Sequence, residues 1–458
     1  MGYSFSTIHA LAYTFVGMQT LYLATRFNPV YWNTAYLIVN SGSIDSENGE
    51  STDYTKIAKA IGAIRKAGIK VSLADINNSD FSFKPDRINN QILFGLKGLS
   101  NVGDDVVTDI IKNRPYASIK DFFNKVQIKK QSMISLIKGG AFDVLEPNRK
   151  FAMAWYLWQV CDKKKRITLQ NMNGLMSRDL IPTDENFDMP KRIYEFTRYL
   201  KAICKYNNGY YKLDERATNF ILELGMEHLF MFNEKDTLLN IKEWDKVYQI
   251  YMDVFRNWMK DNQEAILKSL NETIFKEEWD KYAKGTISAW EMESLCFYYH
   301  DHELKHLNME KYGIVDFNSL LEEPVVERSF EKNGKTINLY KLYKICGTCI
   351  AKNKNKATVS LLTTSGVVEI KFRKEYFALF DKRISKRQED GTKKIIEKSW
   401  FDRGNMIIVQ GVRMGDSFIP KKYASSGGHQ LYKIDSIDVD GNILLKDSRA
   451  QGDMEDEI

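Results

Sequence analysis

Leu99-Ser-Asn-Val-Gly103 places two apolar residues, a turn-forming asparagine and a glycine within five positions. Leu-x-x-Val-Gly is the pattern of the tight turn in a helix-hairpin-helix, where the apolar pair pins a short loop and the glycine lets its backbone approach a phosphate. Asn101 stands where such turns often carry another glycine, and Asn tolerates positive φ better than most residues. Asp104 and Asp105 then open a helix at the end where carboxylates suit the dipole, and Val106, Val107, Ile110 and Ile111 give it an apolar side. Ser100, Asn101, Val102 and Gly103 are therefore candidates to bind duplex DNA phosphates without reading sequence. The same residues also suit an ordinary helix pair with a glycine turn, and the two aspartates would repel a close phosphate.

A second constellation lies near the C-terminus. Between residues 341 and 433 there are 20 Lys and Arg against 8 Asp and Glu, whereas residues 434–458 hold 2 against 8 and residues 1–340 are neutral. Attraction to a polyanion therefore falls on that one segment. Lys352, Lys354 and Lys356 sit together, Lys382, Arg383, Lys386, Arg387, Lys393, Lys394 and Lys398 crowd a later span, and Lys421 and Lys422 follow. Arg403 and the aromatics Phe372, Trp400, Phe401, Phe418 and Tyr423 are interleaved with them, as expected of a groove where phosphates meet cations and bases stack on rings.

The elements that must position these groups follow from periodicity. Runs at 339–350, 357–364, 367–372, 406–413 and 430–437 read as five strands, with a short helix at 375–380 after the third. That order describes an OB-fold. Ser6 caps a long aromatic-rich helix ending near Arg26, before Asn28-Pro29, and residues 40–55 form a polar loop. From Arg149 to about Lys284 the chain reads as helical, with aromatic stripes assigned to a core. The 458 residues are read as multidomain, mainly α with a C-terminal β-barrel. The expected divisions are a helical segment (1–80), a helix-hairpin-helix domain (81–150), a helical middle domain (151–312), a linker (313–338), the OB-fold (339–445) and an acidic tail (446–458).

Five cysteines do not make a disulfide framework, and no run of about 18 apolar residues or secretory leader is present, so a cytoplasmic location without membrane contact is expected. Cys296, His300, His302 and His306 could suggest a metal site, with His302 and His306 on one helix face, but their charge-rich, glycine-free surroundings hold no second ligand group. Cys346-Gly-Thr-Cys349 sits within a strand pattern with no second pair, and no metal is assigned.

In this order, Tyr3-Ser-Phe5, His9, Ala12-Tyr13, Gln19-Thr20, Tyr22-Leu23, Asn28-Pro29-Val30-Tyr31, Gly68-Ile-Lys-Val71, Asp75-Ile-Asn77, Ser79, the hairpin and Leu136-Ile-Lys-Gly-Gly-Ala-Phe-Asp143 resemble the fingers and hairpin region of the DNA polymerase III alpha subunit family. Glu291-Met-Glu-Ser-Leu-Cys-Phe-Tyr-Tyr-His-Asp-His302 and Ser399-Trp-Phe-Asp-Arg-Gly404 extend the resemblance. It implies that residues 1–80 are the end of the fingers, with Phe5, His9 and Tyr13 facing the incoming nucleotide. It also implies primer-template DNA and single-stranded template as partners. The palm carboxylates of that family have no counterpart here. Polymerisation is thus expected to need a separate palm-bearing chain, which would hold the magnesium, with no cofactor in this chain. A sliding clamp is a further candidate partner, through Met226-Glu-His-Leu-Phe230, which lacks the family's Gln. The competing class is a non-catalytic nucleic-acid-binding protein, a remnant or a modulator of a host polymerase. Divergence and the long middle region suggest a phage or another mobile replicon.

Overall fold

The first helix, Thr7–Arg26, starts where the Ser6 hydroxyl accepts the His9 amide at 3.3 Å. The second, Pro29–Asn40, starts where Asn28 accepts the Val30 amide at 2.9 Å with Pro29 at the first position. In this computed structural model residues 6–42, 52–233, 236–332, 334–387, 393–423 and 429–446 are described; Phe5 and residues 447–458 of the expected acidic tail lie outside them. Met1–Met153 together with Gly285–Ile458 form one compact unit, and Ala154–Lys284 form another.

In the first unit, helix Tyr54–Lys66 buries Ile57, Ala58, Ile61 and Ile64 on one side. Strand Gln91–Leu93 pairs with Lys70–Val71 and Lys84–Asp86. The chain then turns through Leu96–Gly98 into helix Asp104–Lys112, followed by Ile119–Lys125 and Lys130–Lys138. Helix Ile287–Leu295 packs against Lys130–Lys138, with Ser294 and Ser135 hydroxyls 3.0 Å apart. Gly139 permits that approach, because a Cβ there would lie 2.6 Å from Leu99 and 2.8 Å from the Ser294 hydroxyl.

The basic segment forms a closed five-stranded barrel. Tyr343–Asn353, Thr358–Thr363 and Gly366–Lys371 pair antiparallel in succession. The third strand runs parallel to Ser417–Pro420, which pairs antiparallel with Met406–Met414, and Met406–Met414 closes on the first strand. This corrects the expected fifth strand. Residues 417–420 close the barrel, whereas Leu431–Ile437 adds to the edge of Met406–Met414. The physical reason is a two-residue Gly415-Asp416 turn, with Gly415 at φ +59, that folds the chain back at once. Gly411 lets the two strands cross, since a Cβ there would lie 2.0 Å from the Ile419 carbonyl oxygen. Helix Lys374–Asp381 plugs the barrel with Phe377 and Phe380, which join Val359, Leu361, Ile370, Ile407 and Val409 in one core. Within the span expected as a linker, 313–338, strand Val326–Lys332 pairs antiparallel with Lys335–Tyr340.

His302 ties the segment after helix Ile287–Leu295 to the barrel. Its Nδ1 accepts the Leu304 amide at 3.0 Å, leaving Nε2 to donate to the Leu362 carbonyl at 3.2 Å. Burial pulls its pKa down to about 4. The unfolded chain takes up this proton near pH 6.5, and the folded chain takes it up only near 4. Stability is therefore expected to fall by about 2–3 kcal/mol as the pH drops through that window. His302→Gln should remove this slope from a series of urea melts between pH 7 and 4, and an unchanged slope would refute the assignment.

The second unit is built on helices Glu185–Ile203, Ile241–Asp261 and Gln263–Tyr282, and it also contains a four-stranded sheet that helical periodicity did not reveal. Trp244 is buried at its centre, its indole N–H donating to Thr197 at 3.1 Å. Leu229 of the expected clamp segment is a member of this core, so that segment cannot present a Leu-Phe pair to a clamp. No helix among the described residues is long and apolar enough to cross a membrane.

Candidate nucleic-acid interface

The hairpin turn has the backbone its sequence requires. Asn101 lies at φ +61, in the left-handed region, and its carbonyl accepts the Ser132 hydroxyl at 2.6 Å. Leu99 and Val102 are buried on either side. Of the four candidate amides, that of Ser100 already donates to the Ser294 carbonyl at 2.9 Å and that of Val102 to the Leu99 carbonyl at 3.4 Å. Gly103 caps helix Asp104–Lys112 without a side-chain cap, and the Asp104 and Asp105 amides lie in its first turn, where a helix has no acceptors of its own. Lys97 forms an ion pair with Asp104 and offsets one of the two carboxylates that oppose a phosphate. Sequence reasoning missed Lys97 because its partner lies seven residues away across the turn.

The ring assignments in the barrel need correction. Trp400, Phe401, Phe418 and Phe372 belong to the barrel core, and Tyr423 is 6% exposed with its hydroxyl accepting the Tyr340 amide at 3.0 Å. None of them offers a face to a base. They are needed inside because a small barrel closed over helix Lys374–Asp381 must be filled, and Trp400 and Phe401 pack on Phe380 and Phe377.

The lysines divide into two groups. Lys352 reaches Asp381 at 2.5 Å, Asp402 at 2.9 Å and the Ser399 hydroxyl at 3.1 Å, and Lys354 reaches Asp381 at 3.3 Å. Burial alone would lower the pKa of Lys352, but the two carboxylates outweigh it and hold it above its ordinary value. Lys352 is a structural cation of the barrel. Lys356, Lys393 and Lys398 are exposed, and Lys382 and Arg383 are exposed at the base of a two-stranded arm, Ile384–Arg387 with Lys393–Glu397, which also carries Lys394. Lys421 and Lys422 are half-buried, with the Lys421 ammonium 5.8 Å from the Tyr340 ring and 5.9 Å from that of Tyr423.

Arg403 brings the two constellations together. Its Nε donates to the Ile350 carbonyl of the barrel at 3.1 Å, its Nη1 donates to the Ser100 hydroxyl of the hairpin turn at 3.2 Å, and its guanidinium lies 4.7 Å from the Tyr54 ring centre. Cys296 closes the cluster, 3.7 Å from the Ser100 hydroxyl, with its thiol pushed up to about 11 by burial. His9 and Tyr13 lie on the exposed first helix with their rings 5.1 Å apart. The described residues bring together no group of three or more metal-ligating side chains.

A hairpin turn braced against a closed barrel with an exposed basic arm is the arrangement that the chain carries, and the proteins similar to it bear DNA polymerase names. A helix-hairpin-helix motif family model matches residues 68–152. The chain is 39% identical over 468 residues to the probable DNA polymerase YorL of Bacillus subtilis, and equally to a DNA-directed DNA polymerase of Bacillus phage SPbeta; each match covers 98% of this chain and 35% of the relative. It is 33% identical over 213 residues, 43% of this chain and 17% of the relative, to DNA polymerase III subunit alpha of Borreliella burgdorferi. This is a DNA polymerase III alpha-like chain that spans about a third of the length of the first two relatives.

Proposed function

We propose that this chain supplies the fingers end and the DNA-binding parts of a split DNA polymerase III alpha-like enzyme. The hairpin turn holds duplex phosphates through Gly103 and the helix behind it. The barrel works as an OB-fold and holds single-stranded template through the basic arm. Phe5, His9 and Tyr13 face the incoming nucleotide. A separate palm-bearing chain supplies the carboxylates that hold two magnesium ions for nucleotidyl transfer. The reading is carried by the alignment of 98% of the chain with polymerases of which it covers 35%. The Arg403 bridge supports it, because it joins the hairpin turn to the barrel.

Primer extension tests it directly. Activity is expected only when the chain is mixed with its palm-bearing counterpart. Extension by the chain alone would mean that it carries an active site of its own. Silence in both tubes would leave a DNA-binding protein.

A further inference from the structure

Helix Thr7–Arg26 buries none of its residues. It carries no Asp or Glu, and Arg26 in its last turn is its only Lys or Arg. Leu11, Phe15, Met18 and Tyr22 recur at spacings of four, three and four, which aligns them along one side of a helix about 30 Å long. They are 56%, 58%, 63% and 59% exposed. His9, Tyr13 and Thr20 fall on the opposite side by the same spacing. Helix Pro29–Asn40 adds exposed Tyr31, Trp32 and Tyr36. Ile8, Val16, Leu21 and Leu23 are exposed as well, so the stripe is the centre of a broader uncharged apolar surface, and a surface of this extent marks a contact with another body.

We infer that the Leu11, Phe15, Met18 and Tyr22 stripe is the seam onto which the palm-bearing part of the polymerase docks, leaving His9 and Tyr13 on the other side for the nucleotide. The occupant follows from the extent of the match. Nearly all of this chain, 98%, aligns with relatives whose remaining two thirds lie outside the alignment, and that remainder is the body against which such a helix would be buried. The stripe offers aromatic and flexible apolar anchors of the kind that dominate interface energies, with no charge to desolvate. The inference rests on the split-polymerase reading and adds to it the surface that joins the two parts.

The test is a binding titration of the palm-bearing polypeptide against the wild-type chain, a Leu11→Asp/Phe15→Asp variant and an apolar-conserving Leu11→Met/Phe15→Leu variant. Because both side chains are exposed, the aspartates should leave the melting temperature and the affinity for single-stranded DNA unchanged, which separates a lost seam from a lost fold. The aspartate variant is expected to bind at least about 100-fold more weakly, as removal of two central anchors does, and the apolar variant to bind like wild type. Equal binding by the aspartate variant, with wild-type extension activity intact, would overturn the seam and leave the split polymerase standing. Failure of the wild-type chain to bind the palm-bearing polypeptide at all would overturn both. A wild-type dimer in sedimentation, dispersed by the aspartates, would assign the stripe to a second copy and overturn the inference.

Discussion

Replacing Arg149 with alanine is expected to destabilise the first unit by about 3–5 kcal/mol, because it leaves a carboxylate buried without its cation. Arg149 is 4% exposed and Glu291 fully buried. The guanidinium donates to Glu291 at 3.0 Å, to Asp143 at 2.6–3.0 Å and to the Lys138 carbonyl at 3.1 Å. Glu291 also accepts the Tyr299 and His300 amides at 2.9 and 3.0 Å and lies 2.6 Å from His300 Nδ1. Burial opposes the charge on Arg149, but Asp143 and Glu291 outweigh it and raise its pKa. Gly140, at φ +79, makes room, since a Cβ there would lie 2.3 Å from the guanidinium. The loss should be visible as a lower urea midpoint. Glu291→Ala should cost less than Arg149→Ala, because Arg149 keeps Asp143. If the two cost the same, Asp143 contributes nothing and the network is a single pair.

The same network shows what the sequence could and could not disclose. Leu136-Ile-Lys-Gly-Gly-Ala-Phe-Asp143 and the segment from Glu291 were both legible as parts of a family pattern. Their meeting at Arg149 was not, because it depends on a tertiary contact 142 residues apart in the chain. The hairpin turn was legible because its chemistry is local: Leu99, Val102 and a residue tolerant of positive φ suffice. The closing strand of the barrel is announced only by Met-Gly-Asp-Ser, a two-residue turn signal whose short strand is outweighed by the longer β-rich run that follows. Ser399-Trp-Phe-Asp-Arg-Gly404 shows the limit most clearly. Its residues serve separate ends: Ser399 and Asp402 hold Lys352, Trp400 and Phe401 fill the barrel, and Arg403 reaches the hairpin. An aromatic beside a basic residue in sequence does not reveal which of the two points outward.

That division of cations gives the second prediction. Neutralising Lys393, Lys394 and Lys398 together is expected to weaken single-strand binding and to flatten its dependence on log salt by up to about 2, at about 0.7 for each phosphate that is no longer neutralised. Lys393 and Lys398 are exposed on or beside the arm, and neither has a carboxylate partner among the described ion pairs, so their counterions are free to be displaced by phosphate. Lys352→Ala is the contrasting variant. Removing it leaves Asp381 and Asp402 close together at the plugged end of the barrel, so it should lower the melting temperature while leaving the salt slope of the folded protein as it was. The pair of measurements separates a phosphate-binding lysine from a structural one without a bound structure. A triple variant with the wild-type slope would place the single strand on another face, with Lys356, Lys421 and Lys422 as the next cations to change. A Lys352 variant with a flattened slope would show that DNA competes with Asp381 for that ammonium, which its 24% side-chain exposure and two carboxylate partners argue against.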